Sequence, residues 1–343
     1  MALSNLLIVT GPTGIGKTSL AIKLAKELDT EIINADSVQV YKGFDIGSGK
    51  VTEDEKQGVK HHLLSYVEAN QKFDVAKFCK DADGVIKDIY KRGKIPIVCG
   101  GTGMYLRALV SGVAKIPEIK ESARAELVKL EKEVSAENLN QHLYSYLQNI
   151  DPDSAIEVNK SDIQRIKRAI LVYLSSGKSI TEYQKEHNFS DNKYNTLFVI
   201  LKMDKEQLHQ RINSRCKEML ELGLVKEVIN LLSQYSLNSN AFSAIGYRHI
   251  IEYLRADYNF EKMLELLKRD TRRFAKRQRT WWRNQPRFLG WHNVLEEIPE
   301  IFQEGEGDSN LVRFCEQYFL DKTSCEKISS EKVNKISYIE VET

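Results

Sequence analysis

The chain has 343 residues, of which 42% are hydrophobic, so it is long enough to bury the core of one large domain and a smaller one. Residues 294–343 hold twelve acidic and five basic side chains, so the net charge of +2 conceals an excess of +9 on residues 1–293, which favours a polyanionic partner. The five cysteines form no C-x-x-C pair and no apolar stretch is long enough to span a bilayer, which argues against a zinc site and a membrane protein and predicts a cytoplasmic one.

The first element is a short apolar run at 6–10 that predicts a strand, and apolar spacing over 17–28 predicts a helix. Between them lies a complete G-x-x-x-x-G-K-[ST] motif, which consists of Gly11, Pro12, Thr13, Gly14, Ile15, Gly16, Lys17 and Thr18. In such a loop the glycines let successive backbone N–H groups point at a phosphate, the lysine adds a charge and the hydroxyl can ligate Mg²⁺. The motif therefore predicts a site for a diphosphate or triphosphate.

The phosphate-binding loop alone does not define the reaction. Each class of P-loop protein has a further motif, and these motifs reduce the number of classes that fit this sequence. A GTPase needs an Asn/Thr-Lys-x-Asp segment, and the nearest match, 201–204, lacks the Asn. The apolar run into an acidic residue that is typical of motor ATPases is matched poorly by 31–36. Small-molecule kinases remain open, and so does a transferase that uses the loop for another leaving group.

The remaining elements predict an α/β fold with a helical insertion. Predicted strands at 6–10, 31–34, 95–99 and 197–201 alternate with helices, which is typical of a P-loop NTPase-like parallel sheet flanked by helices. Amphipathic helices are predicted at 121–134, 136–147 and 162–175, and later helices at 205–222, 225–233, 244–255 and 260–283. We therefore divide the chain into a first part of the core at 1–118, an all-helical insertion domain at 119–195, a second part of the core at 196–293 and an acidic C-terminal tail at 294–343. We expect the end of the tail to be frayed.

The last predicted helix is strongly basic, with eight basic side chains and one acidic side chain over 268–283. A helical period places five of them on one broad face, namely Arg269, Arg272, Lys276, Arg279 and Arg283. The interleaved aromatic residues can stack on bases or pack into the core. A solvated basic helix is the alternative, but the excess of Arg over Lys favours phosphate recognition. A nucleic acid is therefore a candidate partner.

Six further motifs come after the phosphate-binding loop, at 36–50, 61–63, 100–103, 215–224, 244–247 and 275–281. They read Asp-Ser-Val-Gln-Val-Tyr-Lys-Gly continuing into Asp-Ile-Gly-Ser-Gly-Lys, His-His-Leu, Gly-Gly-Thr-Gly, Arg-x-x-x-Met-x-x-x-Gly-Leu, Ala-Ile-Gly-Tyr, and Ala-Lys-Arg-Gln-Arg-Thr-Trp. With these motifs in order, the chain resembles the bacterial tRNA dimethylallyltransferases, or tRNA isopentenyltransferases, from about residue 6 to 291.

The chain departs from that family in two places. The Asp-x-Gln-Arg-Ile element is present at 162–166, but the expected Ile-His-Pro-Asn before it is replaced by the sequence of 157–161, which leaves the local contacts of the insertion open. The two-His zinc finger of eukaryotic members is absent. The tail at 294–343 lies outside the resemblance.

The resemblance implies prenyl transfer from dimethylallyl diphosphate to the N6 amine of the adenine 3′ of the anticodon in tRNA. It implies that Lys17, Thr102 and Arg215 assist the diphosphate leaving group, with Mg²⁺ as cofactor on Thr18. It also implies that Asp36 accepts the amine proton. On residue chemistry alone, Asp36 can equally be a helix cap or a Mg²⁺ ligand.

The resemblance also implies how tRNA binds. The helical insertion would hold one side of the anticodon stem-loop and the basic helix the other. The amide of Gln39 has the donor and acceptor needed to read an adenine edge. The implied tRNA contacts are Ser37, Val38, Gln39, Arg124, Gln164, Arg165, Arg168, Gly246, Tyr247, Arg248, Arg272, Lys276, Arg277 and Gln278. We expect a monomer that associates with no membrane.

Two rival functions stay open, and a third, a non-enzymatic RNA-binding module, is disfavoured by the intact loop with Asp36, Thr102 and Arg215. A P-loop kinase would use 119–195 as an Arg-rich lid, although that segment mixes its basic side chains with many acids. An isopentenyltransferase acting on free AMP, ADP or ATP would share the loop and Asp36, but would not need the basic helix or the insertion. A non-enzymatic RNA-binding module would not need the intact loop.

Overall fold

The fold is known from a computed structural model, which describes residues 4–189, 191–289, 292–293, 311, 315 and 337–342. The chain divides into two compact units. One comprises Met1–Val110 and Asn192–Thr343, and the other comprises Ser111–Asp191.

The described residues of the first unit contain a seven-stranded sheet in which every pair of neighbouring strands is parallel, in the order β3-β2-β4-β1-β5-β7-β6. The strands are β1 Ser4–Thr10, β2 Ile32–Asn34, β3 His61–His62, β4 Ile97–Cys99, β5 Tyr194–Lys202, β6 His292–Asn293 and β7 Ser337–Glu342. Strand β1 lies between β4 and β5, with Leu7 opposite both Ile97 and Leu197. Its residues 6–9 are fully buried, because a central parallel strand is covered on both faces.

The described helices of the first unit are α1 Lys17–Glu27, α2 Glu53–Lys56, α3 Val75–Lys91 and α4 Gly103–Ser111, whose last residue already belongs to the second unit. Those of the second unit are α5 Glu121–Lys132, α6 Leu139–Ile150, α7 Pro152–Glu157, α8 Ile163–Ser176 and α9 Ile180–His187. The first unit continues with α10 Lys205–Glu221, α11 Leu224–Gln234, a 3₁₀ turn at Asn240–Ser243, α12 Tyr247–Leu254 and α13 Phe260–Leu289.

The second unit is built from helices around its own core. Leu143 and Leu147 of α6 and Ile166 and Ile170 of α8 are fully buried, as the period of 3.6 residues predicts. The unit begins at residue 111, whereas the insertion was predicted from 119. It ends at 191, before the predicted 195, because strand β5 already starts at Tyr194.

The predicted fold class, a P-loop NTPase-like parallel sheet with helices, is confirmed. The four predicted strands correspond to β1, β2, β4 and β5. Strands β3, β6 and β7 were not predicted, and the expectation of a frayed end is wrong for 337–342, which form β7 beside β5. No helix in the described part of the chain is both long and apolar enough to cross a membrane.

A buried carboxylate holds the far edge of the sheet. Glu31, which is 8% exposed, accepts hydrogen bonds from Arg92 and lies 2.6 Å from Nε2 of His62 and 3.5 Å from Nζ of Lys60. The hydrogen bond from Arg92 holds the pKa of Glu31 at about 2, although burial opposes the charged form.

We expect Glu31→Gln to lower the free energy of unfolding by about 3 kcal/mol at neutral pH, because it removes the buried negative charge that Arg92 and Lys60 surround. A carboxylate with a lowered pKa stabilises the fold above its unfolded-state pKa, and the benefit is lost as the pH falls towards about 2. Urea unfolding at pH 7 and pH 3 checks this, and the difference from wild type should shrink at pH 3. Glu53→Gln is the control, because that carboxylate is 88% exposed. Equal stability of wild type and Glu31→Gln at pH 7 would contradict the expectation.

Candidate active site

The carboxyl ends of the parallel strands bring the sequence motifs to one edge of the sheet. Strand β1 ends at Thr10 and runs into the phosphate-binding loop, β2 ends two residues before Asp36, and β4 is followed directly by Gly100. The hydroxyl of Thr10 donates to the carbonyl of Gly100 over 2.8 Å. This edge is where α/β folds bind their ligands, because loops from neighbouring strands meet there.

The phosphate-binding loop has the backbone conformation that its glycines require. Gly16, with φ of 102°, is the N-cap of α1 and opens the helix N-terminus. The half-buried Lys17 begins the helix, and its ammonium donates to the carbonyl of Pro12 over 2.8 Å. Burial lowers the pKa of Lys17 to about 8, and the nearby Arg215 adds to the effect. An anion at this helix N-terminus would meet backbone N–H groups and a lysine.

A cavity of about 770 Å³, which we call the loop cavity, opens in front of this loop. Its lining includes the cations Lys17, Arg211 and Arg215, and also Glu55 and Gln57. The residues of the candidate site that line it are Thr13, Gly14, Gly16, Lys17, Thr18, Asp36, Gln39, Ser48, Gly49, Gly100, Gly101, Arg211, Arg215, Phe274 and Gln278.

Asp36 lines this cavity and lies on a turn that it caps itself. Its Oδ1 accepts hydrogen bonds from the backbone N–H groups of Val38, over 2.8 Å, and Gln39, over 3.2 Å. Among the described residues, no hydrogen bond to its Oδ2 is found. Asp36 therefore does act as a cap, which was one of its possible roles. The cap uses Oδ1 only, so Oδ2 is available to a substrate.

Arg215 reaches the same cavity from α10. Its Nη2 donates to the carbonyl of Gly49 over 3.1 Å, and Nε2 of Gln39 donates to the carbonyls of Ser48 and Gly49 over 3.2 Å each. A Cβ at residue 49 would overlap the guanidinium, and φ of 60° at this residue suits glycine. The loop at 45–50, which we call the carbonyl loop, therefore orients two side chains of the candidate site.

Gln278 of α13 joins two motifs that are far apart in sequence. Its Oε1 accepts from the N–H of Thr13 over 2.8 Å, and its Nε2 donates to the carbonyl of Gly101 over 2.9 Å. The described residues lining the loop cavity include Gly100 and Gly101 but not Thr102, which lies just before α4. Gln278 thus ties the phosphate-binding loop to the glycine-rich segment after β4.

A second cavity of about 340 Å³, which we call the junction cavity, lies against the first. It is also lined by Ser37, Val38, Met219, Ala244, Arg248 and Arg277. The two cavities share Thr13, Gly14, Asp36, Ser48, Arg215 and Phe274. Asp36 and Arg215 therefore face two adjoining spaces.

A third cavity of about 970 Å³, which we call the basic cavity, lies between β5, α10 and α13. It borders the phosphate-binding loop at Pro12. Its cationic lining consists of Lys202, Lys205, Arg269, Arg272, Arg273, Lys276, Arg279 and Arg283. Burial lowers the pKa of His209, another lining residue, and the cations of Arg272, Lys205 and Arg279 add to this effect. The predicted basic face of α13 is therefore present.

The predicted tRNA-contacting residues fall into three groups by exposure. The exposed residues of the second unit are Arg124, Gln164, Arg165 and Arg168. Those of the first unit are Ser37, Lys276 and Arg277. Val38, Gln39, Arg248 and Arg272 are half-buried. Gly246, Tyr247 and Gln278 are buried, and both side chains among these three are hydrogen-bonded inside the protein. The geometry gives these three an internal role.

The sequence reasoning missed the contacts that Gln278, Gly49 and Glu227 make. Glu227 of α11 accepts hydrogen bonds from three backbone N–H groups of the carbonyl loop. These contacts join residues more than 150 positions apart, so they cannot be predicted from the spacing of residues in the sequence. His61 and His62 point in different directions, because neighbouring side chains in a strand alternate: His61 lines the loop cavity and His62 pairs with Glu31.

The fold and the site define an α/β protein with a phosphate-binding loop, a basic helix and a separate helical unit. A sequence model described as IPP transferase matches residues 39–285, and one described as isopentenyl transferase matches residues 4–72. The chain belongs to the IPP transferase family.

Relatives and solved structures agree with that assignment. The chain is 41% identical over 301 residues to a tRNA dimethylallyltransferase of Carboxydothermus hydrogenoformans, covering 88% of this chain and 96% of the relative. A tRNA delta(2)-isopentenylpyrophosphate transferase structure from Staphylococcus epidermidis is 36% identical with a TM-score of 0.58, covering 82% of this chain and 90% of that one. A eukaryotic dimethylallyltransferase acting on tRNA is 32% identical with a TM-score of 0.67, covering 81% and 69%.

Proposed function

We propose that this chain transfers a dimethylallyl group from dimethylallyl diphosphate to the N6 amine of the adenine 3′ of the anticodon in tRNA. The product is N6-isopentenyladenosine, and diphosphate is released. Membership of the family and the printed names of the relatives support this reaction. The observation that carries it is the shared wall of the loop cavity and the junction cavity, where Asp36 and Arg215 face both spaces.

The two adjoining cavities suit two substrates that meet at one point. The diphosphate binds in the loop cavity on the backbone N–H groups of the phosphate-binding loop, with Lys17 and Arg215 balancing its charge. The adenine leaves the anticodon-loop stack and enters the junction cavity, where Phe274 offers an aromatic face. The amine then lies beside Asp36, and the allylic carbon lies beside the amine.

The transfer step breaks one bond and forms one. The N6 nitrogen attacks the allylic carbon, the C–O bond breaks, and the electron pair leaves with the diphosphate. Asp36 accepts the proton that the amine loses, using the carboxylate oxygen that does not cap the turn. Lys17 and Arg215 stabilise the charge that grows on the leaving oxygen, and Thr102 lies next to the glycine-rich wall on the same edge.

We propose Mg²⁺ as the cofactor. Thr18, whose side chain carries a hydroxyl oxygen, lines the loop cavity next to Lys17 of the phosphate-binding loop. Oxygen ligands of this kind suit Mg²⁺, which usually takes one or two protein oxygens and completes its shell with phosphates and water. Bound there, the ion would add positive charge next to the diphosphate.

We propose tRNA rather than a free nucleotide as the acceptor, because the protein carries surfaces that a nucleotide would not use. The basic cavity on α13 and the polar side chains of Arg124, Gln164, Arg165 and Arg168 in the second unit suit a phosphate backbone. Among the described residues, Cys79, Cys99 and Cys216 are buried thiols that form no disulfide, which supports the proposed cytoplasmic location.

Incorporation of labelled dimethylallyl diphosphate distinguishes the acceptors. Parallel reactions with Mg²⁺ contain unmodified tRNA with adenine 3′ of the anticodon, the same tRNA with guanine there, and free AMP or ATP. We expect label in the adenine tRNA alone. Label in free AMP or ATP alone would instead assign the chain to the nucleotide-modifying class.

The lowered pKa of Lys17 predicts a pH dependence. Above about pH 8 the free enzyme loses this charge, so kcat/KM for dimethylallyl diphosphate should fall by about tenfold per pH unit. In Lys17→Arg the guanidinium stays charged, so this limb should disappear from whatever activity remains. Initial rates from pH 6.5 to 10 check the prediction. An identical alkaline limb in both proteins would contradict it.

Lys276 is exposed in the basic cavity and should contact a tRNA phosphate. We expect Lys276→Ala to reduce the slope of log Kd for tRNA against log salt by about 0.7 to 0.9, because one fewer counterion is released. Fluorescence anisotropy over a range of KCl concentrations measures that slope. Lys91→Ala is the matched control, since Lys91 is also exposed, on α3. Equal slopes in the two variants would remove Lys276 from the tRNA surface.

A further inference from the structure

Glu227 holds the carbonyl loop from a position outside all three cavities. Its Oε2 accepts from the N–H groups of Asp45, over 3.3 Å, and Ile46, over 2.7 Å, and its Oε1 accepts from the N–H of Gly47 over 3.1 Å. Three converging N–H donors form a small anion site, and here the occupant is a side chain of α11. The carboxylate of Glu227 therefore fixes the carbonyl loop through the backbone N–H groups of residues 45–47.

Tyr247 completes this arrangement. Its hydroxyl donates to Oε1 of Glu227 over 2.7 Å, and the side chain is fully buried at the start of α12. Burial raises the pKa of Tyr247, and the neighbouring Glu227 charge adds to the effect, so the hydroxyl keeps its proton and remains a donor. A Cβ at Gly47 would lie 2.6 Å from the Tyr247 ring, so loop and ring are in close contact.

The opposite side of the same loop faces the reaction. The carbonyl of Gly49 accepts from both Arg215 and Gln39, and the carbonyl of Ser48 accepts from Gln39. The loop is short, with N–H groups of residues 45–47 bound to Glu227 and carbonyls of residues 48 and 49 bound to these two side chains. A shift at one end must move the other.

We infer that Glu227 is a positioning residue for prenyl transfer, which acts through the carbonyl loop on Arg215 and Gln39. Among the described residues that line the three cavities, Glu227 is not found, so it touches no substrate there. Its carboxylate fixes the loop so that the Gly49 carbonyl holds the Arg215 guanidinium against the diphosphate. This inference rests on the proposed function, and it adds to that function a residue that lies outside the candidate active site.

The test is a double-mutant cycle in the full-length chain. Glu227→Gln keeps the shape but turns an amide NH₂ towards N–H donors, so we expect kcat/KM for dimethylallyl diphosphate to fall by about tenfold to a hundredfold, as small misplacements do. Arg215→Lys should lower it separately. Because Glu227 acts through Arg215, the double variant should lose clearly less than the product of the two single losses.

Further variants separate positioning from folding. Tyr247→Phe keeps the ring and should give a smaller loss in the same direction. Glu221→Gln, an exposed carboxylate at the end of α10, should behave as wild type. The melting temperature of Glu227→Gln should fall but stay well above the assay temperature, so that the loss is measured on folded enzyme. Multiplicative losses in the cycle, or wild-type activity in Glu227→Gln, would overturn the inference, whereas an inactive wild-type enzyme would overturn the proposed function itself.

Discussion

Asp36→Asn is expected to lower kcat for prenyl transfer by about 10²- to 10⁴-fold while the affinity for tRNA changes little. The substitution is informative because the asparagine Oδ1 can still accept from Val38 and Gln39, so the turn is kept. The variant loses only the second carboxylate oxygen, which takes the proton from an amine that is otherwise a poor nucleophile. The loss should therefore appear in kcat.

Single-turnover rates with saturating tRNA and dimethylallyl diphosphate measure this effect directly. Asp54→Asn is the control, because that carboxylate is exposed on α2. If Asp36→Asn retains the wild-type single-turnover rate, the carboxylate is only a cap and another group must accept the proton.

Arg215→Gln is expected to cost about 10²- to 10³-fold in kcat, because a fixed positive charge is removed from the place where the leaving oxygen becomes negative. Glutamine keeps an amide donor on a shorter side chain but carries no charge. The KM for dimethylallyl diphosphate should rise as well, since the charge also contacts the bound diphosphate.

Steady-state kinetics with varied dimethylallyl diphosphate separate these two effects. Lys217→Gln, an exposed cation two residues further along α10, should be close to wild type. A rise in KM with unchanged kcat would mean that Arg215 contributes uniform binding and does not stabilise the transition state.

The parts of the fold that depend on local pattern could be predicted from sequence. The apolar runs at β1 and β5 are long and continuous, and the glycines of the phosphate-binding loop determine the turn between β1 and α1. Parallel strands then bring Lys17, Asp36 and the 100–103 segment to one edge, as their positions after strands predict. Helix α3 was not predicted, although its buried residues Phe78, Ala82, Ile86 and Ile89 repeat at helical spacing.

Other parts depend on contacts between distant residues. Strand β3 has only two residues and forms because it pairs with β2. Two residues are too few to show the alternating pattern of a strand. Strand β7 was hidden by the acidic composition around it, although residues 337–342 pair along β5. Gln278 belongs to a basic-helix motif in sequence, yet it faces inward and binds two backbone groups. Sequence position alone could not separate it from its exposed neighbour Arg277.

The most direct test of prenyl transfer to tRNA is nucleoside analysis by mass spectrometry, combined with measurement of released diphosphate. Purified enzyme, Mg²⁺, dimethylallyl diphosphate and unmodified tRNA are incubated, and the tRNA is then digested. We predict one prenyl group on the adenine 3′ of the anticodon, with one diphosphate released for each group transferred and a rate about 10²- to 10⁴-fold lower for Asp36→Asn. Unmodified adenosine in the wild-type reaction, together with ATP-dependent phosphorylation of a small metabolite, would contradict the account and assign the loop to a kinase.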